Sequence, residues 1–400
     1  MMLNTGYIRK RTVEFLLVFP ALVFMTACSS IESLQNQYSL GMQLTAENTG
    51  TFGPRPDLPT VDEIHQLSPE QAKDFLDYMQ SPVNANRKPH DRLFNYLEDF
   101  TRQFEYEGVT YSAGDTLTHR LGNCMSLAIL TTALAQLSGL EIDYQLMDDV
   151  PVFEFNGKYV TKGVHIRSKI YDMDYIEKDG VRLFIKPGIS IDYFPTNRQR
   201  FIGNISNNKY LAMVYNNLAA EAFVSGDDSS AFWLSLEALH HDTDYSPAIN
   251  MMAVLNRRNG DLDTAEFIYR YGIDHAEDKL SILKNYHILL KSTGRSEEAA
   301  QIQAQLDTME DPNPFHWYQL GQSSFDRGEF RDAIRYYNKA LSIVPYLHEA
   351  YLGIALSRYE LGQYSATRNA LKSAFEEAQK ISTRNLYQSK LRALDLAVAN

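Results

Sequence analysis

The chain has 400 residues, 44% of them apolar and 22% charged, ordinary globular values that exclude wholesale disorder, a collagen-like rod and a polytopic membrane protein. Thirty-eight Lys and Arg stand against 50 Asp and Glu, for a net charge of −12, which repels phosphate backbones and argues against a nucleic-acid partner. The two cysteines, Cys28 and Cys124, are too few for a disulfide framework or a structural zinc site.

Arg9, Lys10 and Arg11 form a basic head. Val13 to Ala27 then runs apolar apart from Glu14 and Thr26, too short for a comfortable membrane span. The run ends in Phe24-Met25-Thr26-Ala27-Cys28, with small residues before a cysteine. This pattern resembles a bacterial lipoprotein signal, although Met25 stands where Leu is commoner. The resemblance implies removal of residues 1–27, acylation of Cys28 and attachment to the cell-envelope membrane through that lipid. An uncleaved anchor or an ordinary signal peptide is the alternative. Ser29 rather than Asp after the cysteine is similar to lipoproteins passed on to an outer membrane, with the protein facing the periplasm. Processing would leave Cys124 as the one free thiol, which exported chains have little reason to keep. Residues 28–60, including Thr49-Gly50-Thr51-Phe52-Gly53-Pro54-Arg55-Pro56, read as a polar tether.

The next segment, 61–205, carries whatever chemistry the chain has. Ser68-Pro69-Glu70 opens a helix to about Gln80, and a second helix is expected from Asp91 to Gln103. Apolar residues at Leu127, Leu130, Leu134 and Leu137, with Ala128 and Ala133, follow helical spacing, and Gly139 stops the helix. Asn123 is a good N-cap, which puts Cys124 in the first turn, where unpaired amides and the helix dipole favour a thiolate. A buried, inert cysteine is the competing reading. Downstream the period changes to two, with alternating runs at Glu141–Leu146, Val152–Phe155, Lys158–Thr161 and Val164–Tyr171. Asn156-Gly157 marks one hairpin and Asp179-Gly180 a second, before a last short strand over Ile189–Phe194.

A cysteine opening a Leu- and Ala-rich helix, followed by strands bearing His165 and Asp192, resembles the transglutaminase-like cysteine peptidase superfamily. The likeness covers roughly 85–198 and rests on Gly122-Asn123-Cys124, Gly139-Leu140, His165 and Ile191-Asp192-Tyr193-Phe194-Pro195. It implies an α+β, papain- or transglutaminase-like domain. It also implies Cys124 as nucleophile, His165 as its base and Asp192 as the group orienting the imidazole. Met125 stands where many relatives have Trp, and 27 residues separate His165 from Asp192, longer than usual. Asp172 or Asp174 could be the acid instead. The Cys124 amide could serve an oxyanion hole.

The C-terminal half repeats. Gly226, Gly260, Gly294, Gly328 and Gly362 recur every 34 residues, and five positions after each stands Ala231, Ala265, Ala299, Ala333 or Thr367. The period resembles the tetratricopeptide repeat (TPR), a helix–turn–helix unit. The best copy has Trp317-Tyr318-Gln319-Leu320-Gly321, Gly328, Phe330, Ala333, Tyr337, Ala340 and Pro345. Five units are expected over 212–381, an all-α solenoid, with a capping helix over 382–400 using Leu386, Leu391, Leu394 and Leu396. The resemblance implies a groove for a protein or peptide partner, lined by Phe315, Tyr318, Gln322, Phe325 and Asp326 in the fourth unit. In the fifth it implies Glu349, Leu352, Leu356, Tyr359 and Glu360. His240-His241 with Asp242 and Asp244 reads as a solvated inter-repeat turn rather than a metal site.

Two functions follow from these expectations. The first is a lipid-anchored cysteine hydrolase or amide acyltransferase working through a thioester. The second is a catalytically inactive scaffold for protein–protein interaction. No calcium loop or nucleotide motif stands out, so no cofactor is expected.

Overall fold

The computed structural model describes residues 50–155, 160–173, 186–193, 200–309, 313–378 and 381–399. The signal segment 1–27, Cys28 and the first part of the tether lie outside these residues. So do the turns Asn156-Gly157 and Asp179-Gly180, together with Asp174 and Phe194-Pro195.

Helices α1 (Val61–His65) and α2 (Pro69–Gln80) each open with a capping box, Thr60 with Glu63 and Ser68 with Gln71. Helix α3 spans Pro89–Thr101, starting earlier than expected because Pro89 occupies the first helical position, where its fixed φ is already helical. Next come a two-residue strand β1 (Glu105–Tyr106), helix α4 (Ala113–His119) and strand β2 (Leu121–Gly122), which pairs in parallel with β1. None of these three was anticipated. Helix α5 (Cys124–Leu137) begins behind an Asn123 cap, and every residue from Met125 to Ala135 is buried. A helix apolar all round sits in the centre of its layer. It ends where Gly139 turns left-handed at φ 67° and the Leu140 amide donates to the Ala135 carbonyl.

Four antiparallel strands follow, in spatial order β5-β4-β3-β6. They are β3 (Ile142–Phe155), β4 (Val160–Tyr171), β5 (Gly188–Asp192) and β6 (Arg200–Ile205). The two alternating runs expected on either side of Met147–Val152 are one strand, kinked there by a shift of register against β4. The strand expected last, over Ile189–Phe194, is described as Gly188–Asp192, and a further strand, β6, follows it unanticipated. Arg-Phe-Ile-Gly-Asn-Ile has no clean alternation, because it is a sheet edge with Phe201 48% and Ile202 56% exposed.

The repeat half is five helix pairs: α6 (Asn207–Ser225) with α7 (Asp228–His241), α8 (Ser246–Arg258) with α9 (Leu262–His275), α10 (Leu280–Ser292) with α11 (Ser296–Leu306), α12 (Pro314–Asp326) with α13 (Phe330–Ile343), and α14 (His348–Glu360) with α15 (Tyr364–Glu377). Helix α16 (Ile381–Ala399) closes the array. No strand occurs among the described residues of this half. All five periodic glycines are left-handed, with φ between 71° and 88°. They reverse the chain after the first helix of each pair, a conformation that glycine adopts without a Cβ penalty. The residues five positions on are buried to the last (Ala231, Ala265, Ala299, Ala333 and Thr367). A small side chain there lets paired helices close up.

Two expectations change. Residues 50–60 are not a free tether: Phe52 is buried and stacks on Phe232 at 4.3 Å, and Ser229 donates to the Phe52 carbonyl at 2.6 Å. Arg55 adds an ion pair to Glu237 at 2.7 Å. In the capping helix the packed face is Tyr387, Leu391 and Leu394, whereas Leu386 and Leu396 are exposed. Strand β6 ends at Ile205 and α6 begins at Asn207, and the core continues across this junction. One apolar cluster runs from Phe52 to Ile302, through the sheet and the first three repeats, and a separate one begins at Phe315.

Candidate functional site

The loop before Cys124 is built residue by residue. Arg120 takes a left-handed φ of 55°, unique for a non-glycine among the described residues, and its guanidinium lies 5.0 Å over the Phe100 ring. Gly122 sits at φ 142°, and a Cβ there would meet Ser126 Oγ at 2.5 Å. That close approach is what glycine permits. Asn123 Oδ1 accepts from the Ser126 amide at 3.0 Å, and Ser126 Oγ accepts from the amides of Asn123 at 3.2 Å and Tyr111 at 2.9 Å. The cap is therefore held from within the helix and from residues 110–111, and Cys124 stands as the first helical residue, half-buried.

Strands β4 and β5 supply the other two groups. Asp192 is the register partner of Arg167, two positions along β4 from His165, so Asp192 and His165 are diagonal neighbours. His165 Nε2 meets Asp192 Oδ1 at 2.9 Å, leaving Nδ1 as the ring nitrogen available to Cys124. Burial alone would push the imidazole's pKa down. Hydrogen bonds to Asp192 and to Cys124, and the charges of both, outweigh it and raise the pKa to about 9. Cys124, His165 and Asp192 are thus brought together. Asp172 is not part of this group: it is buried, bound by Lys88 Nζ at 2.5 Å and 3.8 Å from His90 Nδ1.

Sequence reasoning missed Tyr106. Its hydroxyl donates to the Tyr193 carbonyl, just past Asp192, while Tyr193 donates to Ser168 Oγ at 2.7 Å. Burial, then the charges of Cys124 and Asp192, lift the Tyr106 phenol to about 12, so it is a neutral donor at the edge of this group. Its signal in the sequence is no more than an aromatic in the short run ahead of the cysteine loop.

The repeats form a second candidate site. A cleft of about 640 Å³ opens between α12 and α14, lined among others by Tyr318, Gln322, Asp326, Glu349, Leu352 and Leu356. Tyr337 forms its floor, wedged so closely that a Cβ on Gly321 or Gly353 would lie 2.6 or 2.4 Å from its ring. Phe315, expected in the groove, is buried in the core instead. Tyr359 and Glu360 are not among the lining residues, and Tyr359 packs on Tyr364. His240 and His241 are in the last turn of α7, not in a loop, and His241 stacks on Tyr215 at 5.4 Å. No group of His, Cys, Asp and Glu suited to a metal occurs among the described residues, and no helix among them is long and apolar enough to cross a membrane.

The fold and the periodic glycines make the C-terminal half an all-α solenoid of helix pairs with the 34-residue period of the tetratricopeptide repeat. Residues 317–347 match the tetratricopeptide repeat family. Among solved structures, one of Pseudomonas aeruginosa pilF is 19% identical, covering 47% of this chain and 94% of that one, with a TM-score of 0.30. A MamA protein is 19% identical over 42% of this chain and 91% of its own, with a TM-score of 0.23. The Cut9–Hcn1 hetero-tetramer of the APC/C is 16% identical over 46% and 36%, with a TM-score of 0.30. Likenesses this distant say nothing of function. No curated protein matches the chain.

Proposed function

We propose that this chain is a lipid-anchored cell-envelope cysteine hydrolase or amide acyltransferase of the transglutaminase-like kind, whose repeats recruit a protein partner or substrate. The observation that carries the reading is the grouping of Cys124 at a helix N-terminus with an imidazole that Asp192 holds at 2.9 Å and that is raised to about 9. As its sulfur attacks, the Cys124 thiol gives its proton to His165, the base in this arrangement. The Cys124 sulfur attacks an amide carbonyl carbon. As the C–N bond breaks, His165 gives its proton to the leaving amine, and the acyl group stays on sulfur as a thioester. Water, in a hydrolase, or a second amine, in an acyltransferase, then attacks the thioester and passes a proton back to His165 as sulfur leaves. Asp192 fixes the ring throughout, and the Cys124 backbone amide is the donor offered to the developing oxyanion.

The anchor is part of this proposal: Cys28 carries acyl chains and holds the protein at the envelope, on the periplasmic face of an outer membrane. Palmitate incorporation lost in Cys28→Ser supports it, and incorporation that persists removes it. The cleft at Tyr318 and Leu356, open and carrying two carboxylates, supports the second reading, a partner-binding scaffold without turnover. A thiol-directed probe separates the two. Labelling of Cys124 that depends on His165 supports the hydrolase or acyltransferase, whereas labelling indifferent to His165→Ala leaves the scaffold.

A further inference from the structure

We infer that Glu221, on the first repeat helix, is a positioning residue for the Cys124 thiol, acting through Thr110 and the Asn123 cap. The inference rests on the cysteine reading proposed above. Glu221 Oε1 accepts from the Thr110 backbone amide at 2.8 Å across 111 residues of sequence. Thr110 Oγ1 in turn accepts from Asn123 Nδ2 at 2.8 Å, and Asn123 caps the helix that Cys124 begins.

Thr110 is 7% exposed and lies between β1 and α4, outside any helix or strand ladder. Its buried amide therefore depends on a side-chain acceptor, and a carboxylate is the stronger kind. The neighbouring Tyr111 amide holds Ser126 Oγ, the other half of the capping box. Residues 110–111 thus grip the cap at two points, and Glu221 grips residue 110 from the repeat side. Cys124 directly follows Asn123, so a shift of the cap moves the sulfur relative to His165. By this path the array is part of the cysteine site and not an appendage to it.

The test uses the full chain and iodoacetamide, following alkylation at the Cys124 peptide by mass spectrometry, with His165→Ala setting the baseline. Glu221→Gln keeps an acceptor oxygen and should keep most of the His165-dependent excess rate. Glu221→Ala should lose about tenfold of it, the rate equivalent of one charge-assisted hydrogen bond. Ile302→Ala, in α11 and far along the array, serves as a control for destabilisation alone. A loss in Glu221→Ala no larger than in Ile302→Ala at equal folded fraction overturns the inference. Hydrogen exchange at the Ser126 amide reads the cap without the thiol. It should quicken in Glu221→Ala and not in Glu221→Gln; unchanged exchange overturns the coupling, whereas quickened exchange without any His165-dependent rate overturns the cysteine reading instead.

Discussion

Tyr144 of the sheet and Tyr210 of the first repeat helix stack with ring centroids 3.9 Å apart and planes 7° from parallel. Thr132 of α5 bonds both hydroxyls, at 2.9 Å to Tyr144 and 3.4 Å to Tyr210, and His65 reaches the Tyr210 hydroxyl at 3.0 Å. Four elements meet at this pair. It is where the α+β half and the array share one interior, and buried networks of this sort hold their members in a single arrangement.

The first prediction concerns pH. His165 is raised from 6.5 to about 9 in the folded chain, where its bonds to Asp192 and Cys124 overcome burial. The folded state therefore holds this proton more tightly than the unfolded state does. Its stabilising contribution is whole below about 6.5, falls as pH rises from there, and is gone above about 9, amounting to roughly 3 kcal/mol at most. Urea unfolding of the protein and of His165→Gln should differ most near pH 6 and converge near pH 10. A constant gap across that window refutes the assignment.

Gly122→Ala should weaken both the fold and the thiol. The new Cβ would fall 2.5 Å from Ser126 Oγ in a left-handed residue, which costs about 2 kcal/mol or more in strain and overpacking. Urea midpoints give the first effect and Cys124 alkylation rates the second. An unchanged midpoint would show that the loop relaxes without loss.

Two glycines of the array should behave differently. Gly353→Ala drives a Cβ to 2.4 Å from the Tyr337 ring, whereas nothing lies within 4 Å of the Cβ position at Gly328. The first should cost about 1–3 kcal/mol by overpacking, the second about 1 kcal/mol for the left-handed backbone alone. Because the apolar cluster from Phe315 onward is separate from the one ending at Ile302, Gly353→Ala should speed hydrogen exchange in 313–399 and leave 50–309 as before. Equal loosening of both parts would show one cooperative unit.

The segment before α1 should contribute stability. Phe52→Ala removes a buried ring stacked on Phe232 and should cost about 3 kcal/mol. Arg55→Ala, breaking an ion pair whose arginine side chain is half exposed, should cost less than about 1 kcal/mol. Thermal unfolding of the two variants ranks them, and the reverse order would mean that Phe52 is not packed in solution.

The features legible in the sequence are those with local causes. The five left-handed glycines announce themselves by period, the buried small residues by fixed offset, and Asn123 by its place before an apolar helix. Strand β6 was invisible because its ladder to β3 is non-local and its exposed edge obeys no alternation. Phe52 reads as linker from its Gly, Pro and Thr neighbours, although one aromatic finding Phe232 is enough to dock the segment. The nearness of His165 and Asp192 depends on the β4–β5 register, which composition does not encode. Glu221 gives no local sign at all, since the amide it serves is 111 residues away.

Helix α6 is buried continuously from Tyr210 to Tyr215, so the opening member of the array has its flank spent on the sheet and on α5. Counting repeats therefore overstates the valency of the scaffold. The cleft lies toward the far end, at α12 and α14, and the near end packs on the sheet. A guest held in the cleft would sit on the apolar cluster that begins at Phe315, apart from the cluster that holds the helix of the thiol.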